Sequence, residues 1–146
     1  MNDINLFKHK IKINVRFSDL DAMRHVNNAT YLTYLEEARI AYFNEVLDRE
    51  KNNLNYYAVV ARIEIDYAQP INLGDEVEVF TRVSKLGNKS SDVEHLILIH
   101  RSGEEFLACS AATKLVSYDY KNSMSLPIPD DIRKKIIEFE GHNLQS

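Results

Sequence analysis

The chain is 146 residues long, enough for one domain with a real core. Hydrophobic residues make up 45% and charged residues 27%, as in a soluble globular protein, and the formal net charge of -4 excludes a general attraction to nucleic acid or anionic membrane. A single cysteine, Cys109, excludes an intramolecular disulfide, and no apolar stretch approaches the roughly 20 residues of a membrane helix.

The N-terminal MNDINLFKHK carries no signal-peptide core, so a cytoplasmic location is expected. From Lys8 to Phe17 the residues alternate. His9, Ile11, Ile13, Val15 and Phe17 share one face, while Lys8, Lys10, Lys12, Asn14 and Arg16 share the other, the pattern of a half-buried strand. A polar turn from Ser18 to Asn28 follows, then a helical period from about Ala29 to Leu47. Thr30, Thr33, Glu37 and Asn44 form a narrow polar arc on that helix, and nearly all the rest is apolar. So wide an apolar surface predicts a helix covered on most sides. Glu36, Arg39 and Glu45 intrude into it. Glu36 and Arg39, three residues apart, are expected to form a buried structural ion pair.

The segment DREKNNLN (48–55) reads as a solvated loop. A second strand follows, with Tyr57, Val59, Ala61, Ile63, Ile65 and Tyr67 on one face and Arg62, Glu64 and Asp66 on the other. Pro70, Asn72 and Gly74 punctuate a turn, and Val77, Val79 and Val83 mark a third strand. Gly87-Asn88 signals a hairpin into a fourth strand over roughly Ser90 to His100. Ser102-Gly103 turns the chain into a fifth, Phe106 to Tyr118, apolar or small on both faces and so suited to the sheet interior. Pro127 and Pro129 end the sheet region, and Asp130 is placed to cap a short last helix containing Ile132, Ile136, Ile137 and Phe139. A helix apolar nearly all round needs a large partner, and a curved antiparallel sheet of five strands supplies one.

The stretch VRFSDLDAMRHVNNATYLTYLEEAR (15–39) resembles the signature of the 4-hydroxybenzoyl-CoA thioesterase-like hotdog family, roughly D-x-D-x-x-G-H-V-N-N-x-x-Y-x-x-x-x-E-x-x-R. Asp19, Asp21, His25, Val26, Asn27, Asn28, Tyr31, Glu36 and Arg39 carry it. One position departs, Arg24 standing where the family has glycine, which allows for a reshaped turn. IEIDYAQPINLGDEVEVFTRVSKLGNKS (63–90) extends the likeness over nearly the whole chain. The resemblance implies an α+β hotdog fold, a curved antiparallel five-stranded sheet wrapped around a long central helix, in a single domain. It also implies an acyl-CoA thioesterase that acts as a homodimer or homotetramer. The rival readings are an acyl-ACP thioesterase and a non-catalytic acyl-CoA-binding hotdog protein.

Thioester cleavage needs an attacking oxygen and a place for the charge that develops on the carbonyl oxygen. A helix N-terminus meets the second need, because its first amides lack intrahelical partners and the dipole is positive there. The polar turn leads straight into such a terminus, which makes the Asn28 N–H the candidate oxyanion donor. A nearby carboxylate can deprotonate a water or attack the carbonyl itself. The family pattern places this acid at Asp21, and both routes stay open. Asp19 reads as a supporting residue that bonds turn amides. His25 can polarise the carbonyl, orient a water, hold Asp21 or only satisfy the backbone. Asn27 reads as the helix cap, and Tyr31 as core or interface. Arg82, Lys85, Lys89 and Ser90, around the Gly87-Asn88 hairpin, are candidates for the phosphates of coenzyme A, against the plainer reading of a charged hairpin. No metal or redox cofactor is implied, since zinc-ligand spacing, Walker loop, dinucleotide fingerprint and G-x-S-x-G elbow are all missing from the sequence.

Overall fold

Lysines alternating with aliphatic side chains make a strand with one dry face, and the dry face needs a helix to cover it. In the computed structural model, which describes residues 3–48, 56–141 and 144, that strand is β1 (His9–Ile13) and the helix is α1 (Asn28–Leu47). Strands β2 (Ala58–Tyr67), β3 (Glu76–Leu86), β4 (Ser90–Arg101) and β5 (Glu104–Asp119) follow, then a two-residue β6 (Met124–Ser125) and α2 (Asp130–Glu140). All pairings are antiparallel, in the order β1-β3-β4-β5-β2, with β6 folded back on β5. The expected hotdog fold, with β5 inside the sheet, is therefore the observed one. The loop expected at 48–55 falls, after Asp48, outside the described residues.

The face of the sheet bearing Val77, Val79, Ile97, Ile99 and Cys109 receives the first half of α1 through Tyr31, Tyr34, Leu35 and Ala38. A second apolar cluster joins Tyr42, Phe43 and Leu47 to Val83, Leu86, Val93 and Leu115, and Ile132 and Ile136 of α2 close it. Between the two lies a polar belt. His9 pairs with Thr81, and Thr81 with His95, in one row across three strands. Thr81 Oγ1 and His95 Nδ1 share a hydrogen bond of 3.0 Å. Glu140, buried at the end of α2, accepts from the Tyr42 hydroxyl and from Val83 N–H, the latter at 2.9 Å, and so pins α2 to both α1 and β3. On the opposite face of the sheet, Phe80, Leu96 and Leu98 are covered by Ile4, Phe7 and Leu107.

The structure corrects several sequence expectations. β1 ends at Ile13, because Arg16 N–H turns back onto the Asp19 carboxylate and Phe17–Asp19 coil into a 3-10 turn, which leaves Phe17 outside the core. β2 does not keep one parity. Val60 pairs with Leu115 and Arg62 with Lys114, so Ala61 is an extra residue and a bulge moves Ala58 and Val60, not Val59, onto the helix side. Pro129, not Asp130, occupies the N-cap of α2, its carbonyl accepting from Arg133 N–H at 3.0 Å, and Asp130 starts the first turn. Helix α1 stays open along one side, where Leu32 and Ile40 are exposed.

The belt makes stability depend on pH. Burial holds the His95 imidazole down to about 3, and the positive charge of Arg39 adds to the effect. With the folded value below the ordinary one of about 6.5, only the unfolded chain takes up a proton as the pH falls, so stability present near neutrality is lost on acidification below about pH 6.5. Urea unfolding of the wild type should weaken between about pH 7 and pH 5, and the slope should flatten in His95→Gln. An unchanged slope in the variant would assign the acid sensitivity to other groups.

Candidate active site

The polar turn is held by its own backbone and by one buried carboxylate. Asp19 is only 3% exposed and accepts from Arg16 N–H at 2.9 Å, the Arg16 guanidinium at 3.2 Å and the Tyr34 hydroxyl at 2.7 Å. Burial opposes its ionised form, but the three donors outweigh burial and hold the carboxyl below its ordinary range. Its backbone carbonyl takes the Asn27 N–H at 2.8 Å. Asn27 caps α1 as expected, its side-chain oxygen accepting from Ala29 N–H at 2.9 Å. Thr30 N–H bonds the Asn27 carbonyl. Among the described residues, no acceptor takes the N–H of Asn28, the first helical residue.

Asp21 is exposed at the tip of the turn. Its Oδ1 accepts from Met23 N–H at 2.9 Å and His25 N–H at 3.3 Å, while Oδ2 has no hydrogen-bond donor among the described residues. Asp21 N–H bonds the His25 carbonyl at 2.8 Å, which closes the turn. At Arg24 the backbone sits at φ 64, the left-handed region where glycine is at ease. Arg24 thus adopts the conformation that suits glycine, with the strain that a side chain brings. His25 is half-buried, pairs by its backbone with Asn72, and its imidazole has no protein partner among the described residues. Asn72 is fixed in turn by Asp75, which accepts its N–H at 2.8 Å and binds Arg101 at 2.7 Å.

Two tyrosines fasten the helix start to the end of β2. Tyr67 donates to the Asn28 carbonyl at 2.9 Å, Tyr31 donates to the Gln69 carbonyl at 3.2 Å, and their rings meet edge to face at 4.9 Å. The alternation of residues places Tyr67 in a strand, and the helical period places Tyr34 in the core or an interface. Their position in the chain does not show that their hydroxyls reach back across roughly 15 to 40 residues.

The other expected site residues lie elsewhere. Arg82 is buried on the face of the sheet away from α1, bonded to Glu94 at 2.7 Å and stacked over Phe7. Its Nε is thereby engaged, and the side chain is buried away from α1. A second bulge, between Val83 and Lys85, sets exposed Lys85 opposite Asp92 on that same outer face. Exposed Lys89 and half-buried Ser90 sit at the hairpin. The hairpin adjoins the C-terminal end of α1, through Leu47 and Leu86 in one cluster, and that end lies about 30 Å from Asn28 along a 20-residue helix. Glu36 is exposed and forms no ion pair with buried Arg39; it acts on that residue only through its field.

A family model described as the thioesterase-like superfamily matches residues 15–136. The chain belongs to that superfamily. The long-chain acyl-CoA thioesterase FadM of Escherichia coli is 31% identical over 126 residues, covering 86% of this chain and 94% of FadM. YsmA of Bacillus subtilis, an uncharacterized protein, is 34% identical over 85 residues, 58% of this chain and 57% of its own length, so the chain matches little more than half of that relative. The crystal structure of a Thermus thermophilus thioesterase complexed with coenzyme A and Zn superposes with a TM-score of 0.81 at 39% identity, covering 95% of this chain and 98% of that one. The resemblance read from Asp19 to Arg39 is therefore borne out in family and in fold.

The strained turn offers a direct test. An L-residue in the left-handed region costs about 1 kcal/mol, and no side-chain hydrogen bond of Arg24 offsets it among the described residues. Arg24→Gly should raise the unfolding free energy by up to about 1 kcal/mol, read as a shift in the urea midpoint. A loss of stability would show that the arginine side chain anchors the turn.

Proposed function

We propose that the protein is an acyl-CoA thioesterase that hydrolyses acyl-CoA to free acid and coenzyme A. The observation that carries this reading is the open Asn28 N–H at the start of α1, next to a turn whose Asp21 keeps one carboxylate oxygen free, in a chain of the thioesterase-like superfamily. The thioester carbonyl oxygen lies against the Asn28 amide, where the positive end of the helix stabilises the charge formed on attack. Asp21 either draws the proton from an attacking water or attacks the carbonyl carbon itself, giving an anhydride that water then cleaves. In both routes the C–S bond breaks, the thiolate leaves with a proton, and only water is consumed. No cofactor beyond the substrate's coenzyme A is assigned. His25, whose imidazole has no protein partner among the described residues, polarises the carbonyl or orients the water in this reading. Buried Cys109, whose thiol burial pushes up to about 12, takes no part. A lone buried thiol suits the reducing cytoplasm proposed as the location. The left-handed φ at Arg24, the one glycine favours, supports a catalytic turn over a non-catalytic binder.

Two open edges, β1 and β2, and the exposed Tyr57, Val60 and Tyr67 favour pairing with a second copy. Two β2 edges related by a two-fold axis run antiparallel, which brings the hairpin end of one copy beside the turn end of the other. That arrangement brings Lys85, Lys89 and Ser90 toward the nucleotide of a coenzyme A whose thioester sits at Asn28. These features support a homodimer, or a homotetramer of two such pairs.

Asp21→Asn should lower turnover of the best acyl-CoA on the order of 100-fold or more with an unchanged unfolding midpoint. Near wild-type kcat in this variant would remove Asp21 from the mechanism. Turnover of the same acyl groups on acyl carrier protein, compared with coenzyme A, separates the two carriers. Sedimentation at micromolar concentration is expected to show at least a dimer, and a single 16.9 kDa species would overturn the shared site.

A further inference from the structure

Every fourth residue of α1 from its start, namely Asn28, Leu32, Glu36, Ile40 and Asn44, is exposed. Such residues form a ridge inclined to the helix axis by about 26°. The ridge begins at Asn28, where Tyr67 of β2 bonds the backbone, and it reaches Ile40 and Asn44 opposite Ala58 and Val60 of the same strand. There a groove of about 290 Å³ opens between helix and strand, walled by Ile40, Phe43, Tyr56, Ala58, Val60 and Leu115. Arg39 also lines it.

Arg39 is the anomaly of this groove. It is only 8% exposed, its Nη1 is fully buried, and among the described residues its guanidinium has neither a hydrogen-bond acceptor nor an ion-pair partner. A buried guanidinium with no acceptor is costly, and a plain alkyl chain laid over it leaves the cost in place. An oxygen atom on the chain would relieve it. Glu36 at the rim already supplies a negative charge whose field reaches Arg39, so a neutral oxygen suits the site better than a second carboxylate. Arg39 lies about 16 Å from Asn28 along the helix, within reach of a medium- or long-chain acyl group.

We propose that this groove receives the acyl tail and that Arg39 is a specificity-determining residue, selecting acyl groups that carry a hydroxyl or keto oxygen far from the thioester. The inference rests on the thioesterase reading and adds a substrate class to it. The test compares a long-chain acyl-CoA, its hydroxy or keto analogue substituted near the far end, and the dicarboxylic analogue, all of one length. The oxygenated thioester should have the higher kcat/KM by about tenfold to a hundredfold, the worth of a hydrogen bond to a charged group. Arg39→Met should abolish the preference, Arg39→Lys should keep part of it, and both should turn over a short acyl-CoA at the wild-type rate. Equal wild-type turnover of plain and oxygenated chains would overturn the proposal. So would a loss in Arg39→Met shared by the short substrate, or a clear preference for the dicarboxylic thioester.

Equilibrium binding of the same thioesters to the Asp21→Asn protein makes the comparison without hydrolysis and needs no Arg39 variant. Tighter binding of the oxygenated chain by about tenfold supports the groove assignment, and equal binding overturns it. If the wild type cleaves no thioester yet shows that binding preference, the thioesterase reading falls and the groove assignment stands.

Discussion

A buried carboxylate is tolerated only when donors fill its lone pairs, and Asp19 draws its donors from two elements at once. Arg16 supplies two as the chain leaves β1, and Tyr34 supplies the third from the second turn of α1. The Asp19 carbonyl meanwhile takes the N–H of Asn27, the residue that caps the helix. Strand exit, turn and helix entry are therefore tied at one residue, and the angle at which α1 enters the sheet follows from it. The amides at the helix start are disposed of in the same way. The Asn27 side chain takes the Ala29 N–H and its carbonyl takes the Thr30 N–H, which leaves the Asn28 N–H facing outward. The open donor is what remains once the cap has met its own needs. Asp19 thus supports the chemistry without touching a substrate.

Much of this was legible in the sequence because it depends on local chemistry. The alternation in β1, β3 and β4, the hairpins at Gly87 and Gly103, the long helix and the Asn27 cap are set by residues within a few positions of one another. The family signature supplied the fold as a whole. Parity across a bulge was not legible. Ala61 and Ser84 are ordinary strand residues, and only pairing with β5 and β4 shows that each is one residue too many. The second bulge sends Lys85 to the outer face, where Arg82 is buried and held by Glu94 while Lys85 and Lys89 stay exposed. Long-range hydroxyl bonds were equally hidden. Tyr34 and Tyr67 look like apolar filler in a pattern, and their partners appear only when the helix is laid on the sheet.

Arg39 shows a different limit. Its spacing from Glu36 predicts an ion pair on the helix surface, and on an isolated helix that pairing is the reasonable outcome. In the fold, the sheet covers one member and not the other. Arg39 is buried near enough to His95 for its charge to act on that imidazole, while Glu36 stays on the ridge outside. Helical spacing brings two side chains within reach, but burial of one face decides whether they meet.

The polar belt gives the helix two unlike halves. Below it, Tyr31 to Ala38 pack on a dry sheet and hold the entrance where Asn28 and Asp21 stand. Above it, Tyr42 to Leu47 need α2 to complete their cover, and Glu140 locks that cover through Tyr42 and Val83. The seal is incomplete on the side of β2, an edge strand with no neighbour beyond it among the described residues of one chain. Here the bulge at Ala61 has its consequence. It turns Ala58 and Val60 toward the helix, and with Ile40, Phe43 and Leu115 they line the gap. A groove rather than a packed seam results, with Arg39 in its lining. The sheet edge at β2 is what leaves room beside α1 for something other than protein.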